Sequence, residues 1–262
     1  MPTVVTRIVA GIVLGLPVLV FIWIGTPAFE AMVALAAGIL AWEWFGITGS
    51  GQPQKAGLLL GGVVVAAVVV AAGFSLGVAL LVLALGTALV VLATGGAPWM
   101  TLGTLYIGLP CVALVWLRNE PTLGREIVLW LLLVVWASDI GAYAAGRLIG
   151  GPKLAPRISP NKTWAGLAGG IGAAAATSSG FASHLSGAHL AQAATLGALL
   201  AVAAQLGDLG ESWVKRRFGV KDASSLIPGH GGLLDRVDAL LVVILIVACI
   251  AAADKGALNR WL

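Results

Sequence analysis

Long apolar runs, most close to twenty residues, follow one another along almost the whole chain, and the polar residues gather in short gaps between them. The gaps at 25–27, 49–53, 95–98 and 119–124 are rich in Gly, Pro, Ser and Asn, the residues that punctuate helices. No stretch alternates apolar and polar positions in the ten-residue segments of an outer-membrane barrel. A spanning helix needs about 20 mostly apolar residues. The pattern therefore predicts an all-α, polytopic transmembrane bundle of about nine spanning helices. They fall at approximately 6–24, 28–47, 56–74, 76–94, 99–117, 125–146, 163–183, 189–217 and 232–253. The division of 56–94 rests on a single weak break at Phe74-Ser75. The chain reads as one integral membrane domain. Its N-terminal helices occupy 1–124, and a C-terminal region, 125–262, carries two polar loops and is where the chemistry is expected.

Composition agrees: 60% of the 262 residues are hydrophobic and only 10% charged, with a mean hydropathy of +1.02. The first run, residues 8–24, is longer than a signal-peptide core and is followed by no A-x-A-like site, so it reads as the first span. Cys111 and Cys249 each lie inside an apolar run, which points to packing and not to a disulfide or a metal site. A pI of 9.4 could suggest nucleic acid. Basic loops on the cytoplasmic side explain it more simply, and no nucleic-acid partner is expected.

The positive-inside rule sets the orientation. With nine spans and a cytoplasmic N-terminus, eleven of the fifteen Lys and Arg residues fall on the cytoplasmic side. Only Arg118, Arg125, Lys255 and Arg260 fall outside. The polar loops 147–162 and 215–231 then both face the cytoplasm, and the expected location is the inner (cytoplasmic) membrane.

A few acids interrupt the apolar runs. Asp139 lies near the end of the sixth helix, and Asp208 and Glu211 near the end of the eighth. Carboxylates inside a membrane are costly and usually mark a functional cavity. Glu30 and Glu43, nearer helix ends, read instead as interfacial acids that reach water. Glu211 follows Asp208 by three residues and precedes Lys215 by four, so the three share a helix face. Asp235 and Asp238 are again three apart, at the start of the ninth helix. Two acidic helix ends meeting across the 215–232 loop would suit Mg²⁺, which prefers oxygen ligands and keeps waters for substrate phosphates. Salt bridges to Lys215, Arg217 and Arg236 would account for the same spacing.

The loops themselves are basic. Ser159-Pro160-Asn161-Lys162-Thr163 leads into the seventh helix, and a helix start bearing a lysine and hydroxyls is a plausible anion site. Its spacing is not that of a phosphate-binding Walker A loop. Lys153 and Arg157 read as topology and lipid-contact residues. Around Gly231 the glycines permit backbone conformations closed to other residues, and their amides could approach a phosphate. His230 is either a proton or phosphate contact or a turn-packing residue, while His184 and His189 receive no role.

Laid end to end, Ser212, Lys215, Arg216, Lys221, Asp222, Ser224, Ile227, Pro228, Gly229, His230, Gly231, Gly232, Asp235, Arg236 and Asp238 match a known signature. It resembles that of the phosphatidate cytidylyltransferase (CDP-diacylglycerol synthase) family. "GDLGES", "SPNKTWAG" and "SDIGAYAAGR" are similar to further family segments, so the resemblance covers residues 136–238. Ala165 stands where the family usually has Glu, Ile140 replaces a small polar residue, and Gly210 a bulky one.

The resemblance implies transfer of CMP from CTP to phosphatidate, with Mg²⁺, a second cation being left open, in a homodimer. It implies Asp208 and Asp235 as metal ligands, and Lys215, Lys221, Asp222 and Arg236 as further catalytic residues. Ser159, Lys162, Thr163, Ser212, Arg216, Ser224, Ser225, His230 and Gly231 would bind substrate. The rival class is an ion-coupled transporter, motivated by Asp139, Asp208 and Glu211. That class would show interrupted helices in two related halves, and no such halves are visible. A related enzyme acting on another lipid, such as a polyprenol, is the nearer alternative.

Overall fold

A computed structural model describes residues 4–185, 189–227 and 231–253, with side chains at residue 13 and from residue 15 onward. Nine helices are present among them: α1 (Val4–Ile24), α2 (Ala28–Thr48), α3 (Gln54–Gly73), α4 (Leu76–Ala93), α5 (Pro98–Arg118), α6 (Gly124–Leu148), α7 (Trp164–Ala182), α8 (Leu190–Arg217) and α9 (Leu234–Ala253). The hydrophobic runs and their breaks located every one. The break at Phe74-Ser75 is real, because the Ser75 hydroxyl accepts from Val78 N at 3.5 Å and starts α4. Seven helices, α2–α6, α8 and α9, are long and apolar enough to cross a membrane. α7 is not among the seven, because Gly, Ala, Ser and Thr make up most of it. Small residues favour close helix contact over apolar bulk.

The loop expected between α6 and α7 contains structure that the sequence pattern did not reveal. β1 (Lys153–Ala155) and β2 (Ser159–Thr163) form a two-stranded antiparallel hairpin, pairing Lys153 with Thr163 and Ala155 with Ser159. Strands this short, with Pro160 in β2 and Pro156 in the turn between them, carry little periodicity to read, and such a hairpin is marginal without support.

The chain divides into two compact units: Met1–Arg125 with Arg217–Val237, and Glu126–Arg216 with Asp238–Leu262. In the first, α3 packs on α2, α4 and α5, α2 packs also on α5, and α1 on α2. Phe29, Trp44, Leu60, Leu83, Met100 and Ile107 are almost completely buried between them. Leu35, Leu58, Leu85 and Leu92 point outward, as side chains facing lipid can, since lipid tails are as apolar as leucine. The indole of Trp44 donates to Trp99 O at 2.8 Å. Trp99 in turn receives the returning segment: Phe218 meets its ring edge-on at 5.2 Å and the Arg217 guanidinium lies 5.6 Å over it. The start of this segment, Arg217 and Phe218, is thus docked on α5.

Glu30 departs from the expectation of an acid reaching water. It is buried, 5% exposed, and accepts a 2.6 Å hydrogen bond from Thr26 Oγ1. Nearby, Arg118 donates through Nε and Nη2 to Ile22 O at 3.1 and 2.8 Å. That carbonyl lies in the last turn of α1, where helix carbonyls lack intrahelical partners.

In the second unit, Ser178 of α7 is fully buried, accepts from Trp130 Nε1 of α6 at 2.9 Å and donates to Ala193 O of α8 at 2.6 Å. One hydroxyl so ties three helices, and its donor and its acceptor are both used. α8 and α9 approach closely at Gly207, where an added Cβ would stand 3.1 Å from Asp238 O and 2.9 Å from a Val242 methyl.

Candidate active site

Two sets of charged side chains are built from the motif segments, one in each unit. In the second unit, the final turns of α8 carry Asp208, Glu211, Ser212 and Lys215 on neighbouring faces. Glu211 and Lys215 pair at 2.5 Å as the i, i+4 spacing predicted, with side chains 1% and 9% exposed. Charges this deeply buried are tolerable only when compensated. Asp208 takes a partner that spacing along α8 could not show: Lys162, from the end of β2, whose Nζ lies 2.6 Å from Asp208 Oδ2. The Ser212 hydroxyl donates to Asp208 Oδ1 at a long 3.4 Å. Asp208 remains one-third exposed at 33%. Asp238 is buried at the start of α9, with Oδ1 accepting from its neighbour Ala239 N at 2.8 Å.

The hairpin explains how Lys162 arrives. Thr163 closes β2 and is at once the N-cap of α7, its Oγ1 accepting from Gly166 N at 3.0 Å. The Thr163 side chain is buried in that role, and Lys162 is the residue of this helix start that meets Asp208. Ser159 is half-buried on β2, Arg216 is exposed on α8, and Asp139 is exposed on α6.

In the first unit, residues 223–224 and 232–234 gather around two carboxylates. Asp235, in the first turn of α9, accepts at Oδ2 from Ala223 N (2.9 Å) and Gly232 N (2.7 Å). Gly231 adopts φ +80°, and a Cβ there would stand 2.5 Å from Asp235 Oδ2. The positive φ expected of this glycine is present. Ile227 N donates to Gly231 O at 2.8 Å and pinches the loop. Lys221, Asp222, Ser225 and Arg236 are exposed on this frame. Pro228, Gly229 and His230 lie outside the described residues.

The second carboxylate is Glu43 of α2, which the sequence reading assigned to the water interface. It is instead 1% exposed. It accepts from the Ser224 hydroxyl at 2.6 Å, Leu233 N at 2.8 Å and Leu234 N at 2.6 Å. The last two are unsatisfied donors at the start of α9, where a negative charge is favourable. Position near a helix end was the wrong signal. What decided its environment was a cluster of donors 181 to 191 positions away. The single Ser224 hydroxyl proton is directed to Glu43 Oε1.

Among the described residues, no group of three or more His, Cys, Asp and Glu side chains is arranged to hold a metal ion. Mg²⁺ does not require such a cage, since it commonly uses one or two carboxylates plus substrate phosphates. Asp208 fits that role as a hard, partly exposed carboxylate beside a lysine.

The motif segments sit on apolar, membrane-capable helices and hold paired charges, the kind of setting that the nucleotidyltransferase resemblance implies. The cytidylyltransferase family model matches residues 5–253, and the chain belongs to that family. It is 38% identical over 243 residues to the phosphatidate cytidylyltransferase of Brucella suis, covering 90% of this chain and 88% of that protein. It is 37% identical over 247 residues to the protein of the same name from Pseudomonas aeruginosa, covering 87% and 90%. A phosphatidate cytidylyltransferase of Bacillus subtilis is 40% identical over 146 residues, 55% of this chain and 54% of that protein.

Proposed function

We propose that this protein transfers the cytidylyl group of CTP to phosphatidate, giving CDP-diacylglycerol and diphosphate. An oxygen of the lipid phosphate attacks the α-phosphorus of CTP, the new P–O bond forms, and the bond to the β-phosphate oxygen breaks. The attacking phosphate is already anionic, so no side chain need remove a proton. The task left to the protein is to position two anions and to offset their charge. Lys162, Lys215 and Arg216 supply positive charge in one set of residues, and Lys221 and Arg236 in the other. Ser225, exposed on the loop, offers a hydroxyl to phosphate oxygens, Ser212 directs its hydroxyl to Asp208, and Asp222 stands beside Lys221 on the exposed loop. Asp208 and Asp235 would hold Mg²⁺, with a second cation possible, and the metal would neutralise phosphate charge and polarise the P–O bonds.

The observation that carries this reading is the Lys162–Asp208 pair at 2.6 Å. It joins two separate motif segments and keeps a cation and a hard carboxylate together at a partly exposed edge. The test is formation of radiolabelled CDP-diacylglycerol from labelled CTP and phosphatidate by the purified protein in detergent micelles with Mg²⁺. Label transfer to a polyprenyl phosphate, and none to phosphatidate, would overturn it.

The site is proposed to face the cytoplasm from the inner membrane, in a homodimer. Cysteines introduced at Gly219 and Ser159, in a background lacking Cys111 and Cys249, should react with an impermeant thiol reagent from the cytoplasmic side only. One at Asn119 should react only from outside. The reversed pattern would overturn the orientation.

A further inference from the structure

We propose that Glu43 is a positioning residue for cytidylyl transfer: it latches the 222–234 loop in the shape that presents Lys221, Ser225 and Asp235, without touching substrate itself. The inference rests on the cytidylyl-transfer reading for its kinetic part. The latch itself rests on geometry alone.

Three hydrogen bonds of 2.6–2.8 Å converge on one carboxylate that is 1% exposed. A polar group so buried is accommodated only with hydrogen-bond partners, and this one has them from both ends of the loop. Ser224 lies near the loop's beginning, and Leu233 and Leu234 at its return into α9. Gly232 closes the arrangement from the other side, because an added Cβ would run into the Glu43 carboxylate and stand 3.0 Å from the Ala223 Cβ. Asp235 takes the amides of Ala223 and Gly232, the residues next to those Glu43 binds. The two carboxylates therefore share one frame, in which Glu43 fixes where the Asp235 turn sits.

Ser224 changes role in this light. Its single hydroxyl proton goes to Glu43, and its oxygen accepts from Leu226 N at 3.1 Å. It has no second proton to donate to a phosphate. We assign it to the latch, and leave phosphate contacts on this loop to its exposed neighbours.

The test uses the full-length protein in detergent, with Glu43→Gln, Glu43→Ala, Gly232→Ala and the Glu43→Ala/Gly232→Ala double variant. Steady-state kinetics are measured against CTP and against phosphatidate, with amide hydrogen exchange followed over 222–234. Glu43→Gln keeps the shape but turns an amide NH₂ toward backbone donors. It should raise KM for CTP about tenfold or more, leave KM for phosphatidate within about threefold, and speed exchange of the loop at least tenfold. Gly232→Ala should reproduce this from the loop side, and it carries the test should Glu43→Ala fail to assemble. The double variant should be no worse than Glu43→Ala. Loop exchange as slow as in the parent protein would overturn the latch. An activity loss that only tracks the folded fraction, with both KM values unchanged, would overturn the positioning role. A parent protein that makes no CDP-diacylglycerol sinks the proposed function, while the exchange arm still decides the latch.

Discussion

Asp208 and Glu43 are both carboxylates in apolar helices, yet the fold treats them in opposite ways. Asp208 faces a lysine, is 33% exposed, and leaves its charge accessible at an edge. Glu43 faces a hydroxyl and two backbone amides, is 1% exposed, and is enclosed. A carboxylate paired with one lysine side chain and still partly exposed can exchange that partner for a substrate or a metal. One held by backbone donors cannot be released without unfolding the segment that supplies them. The first arrangement suits chemistry and the second suits architecture, although sequence spacing pointed to the first and dismissed the second.

The sharpest way to break this contrast is at Asp208 itself. Asp208→Asn keeps the size and removes the charge. Turnover should fall by about 10²–10³, the usual loss when one preorganised electrostatic group is removed, with the thermal unfolding midpoint within a few degrees of the parent. Activity within threefold of the parent at limiting Mg²⁺ would place Asp208 with the structural acids.

Gly231→Val probes the enclosed side. The residue sits at φ +80° with Asp235 Oδ2 where its side chain would begin. A β-branched residue there should cost activity about 10²-fold and also lower the unfolding midpoint, because strain of this kind costs on the order of 1–3 kcal/mol. An altered Mg²⁺ dependence should accompany the loss, since the turn carries Asp235. A variant with normal activity and stability would show that the turn can relax without consequence.

The smallest expected effect is that of Lys221→Ala. Lys221 is exposed on the loop, and surface charges contribute about 0–1 kcal/mol to stability. The unfolding midpoint should not move, while KM for CTP rises about three- to tenfold at unchanged Mg²⁺ dependence. An unchanged CTP titration would reduce this lysine to a topology signal.

The sequence by itself determined the nine helices and their ends. A chain in lipid must satisfy its backbone hydrogen bonds locally, so apolar length and Gly/Pro breaks translate directly into helices. It also marked the segments that resemble the family, because fixed residue types at fixed spacing are legible without coordinates, and local pairs such as Glu211–Lys215 follow from helix periodicity. Only the tertiary structure decided which charge meets which. Lys162 reaches Asp208 through a hairpin too short to leave a periodic trace, and Thr163 turns out to be a helix cap. Glu43 finds its donors 181 to 191 residues away. A carboxylate's environment is set by what packs against it, and no local pattern around Trp42-Glu43-Trp44 encodes the arrival of the α9 amides.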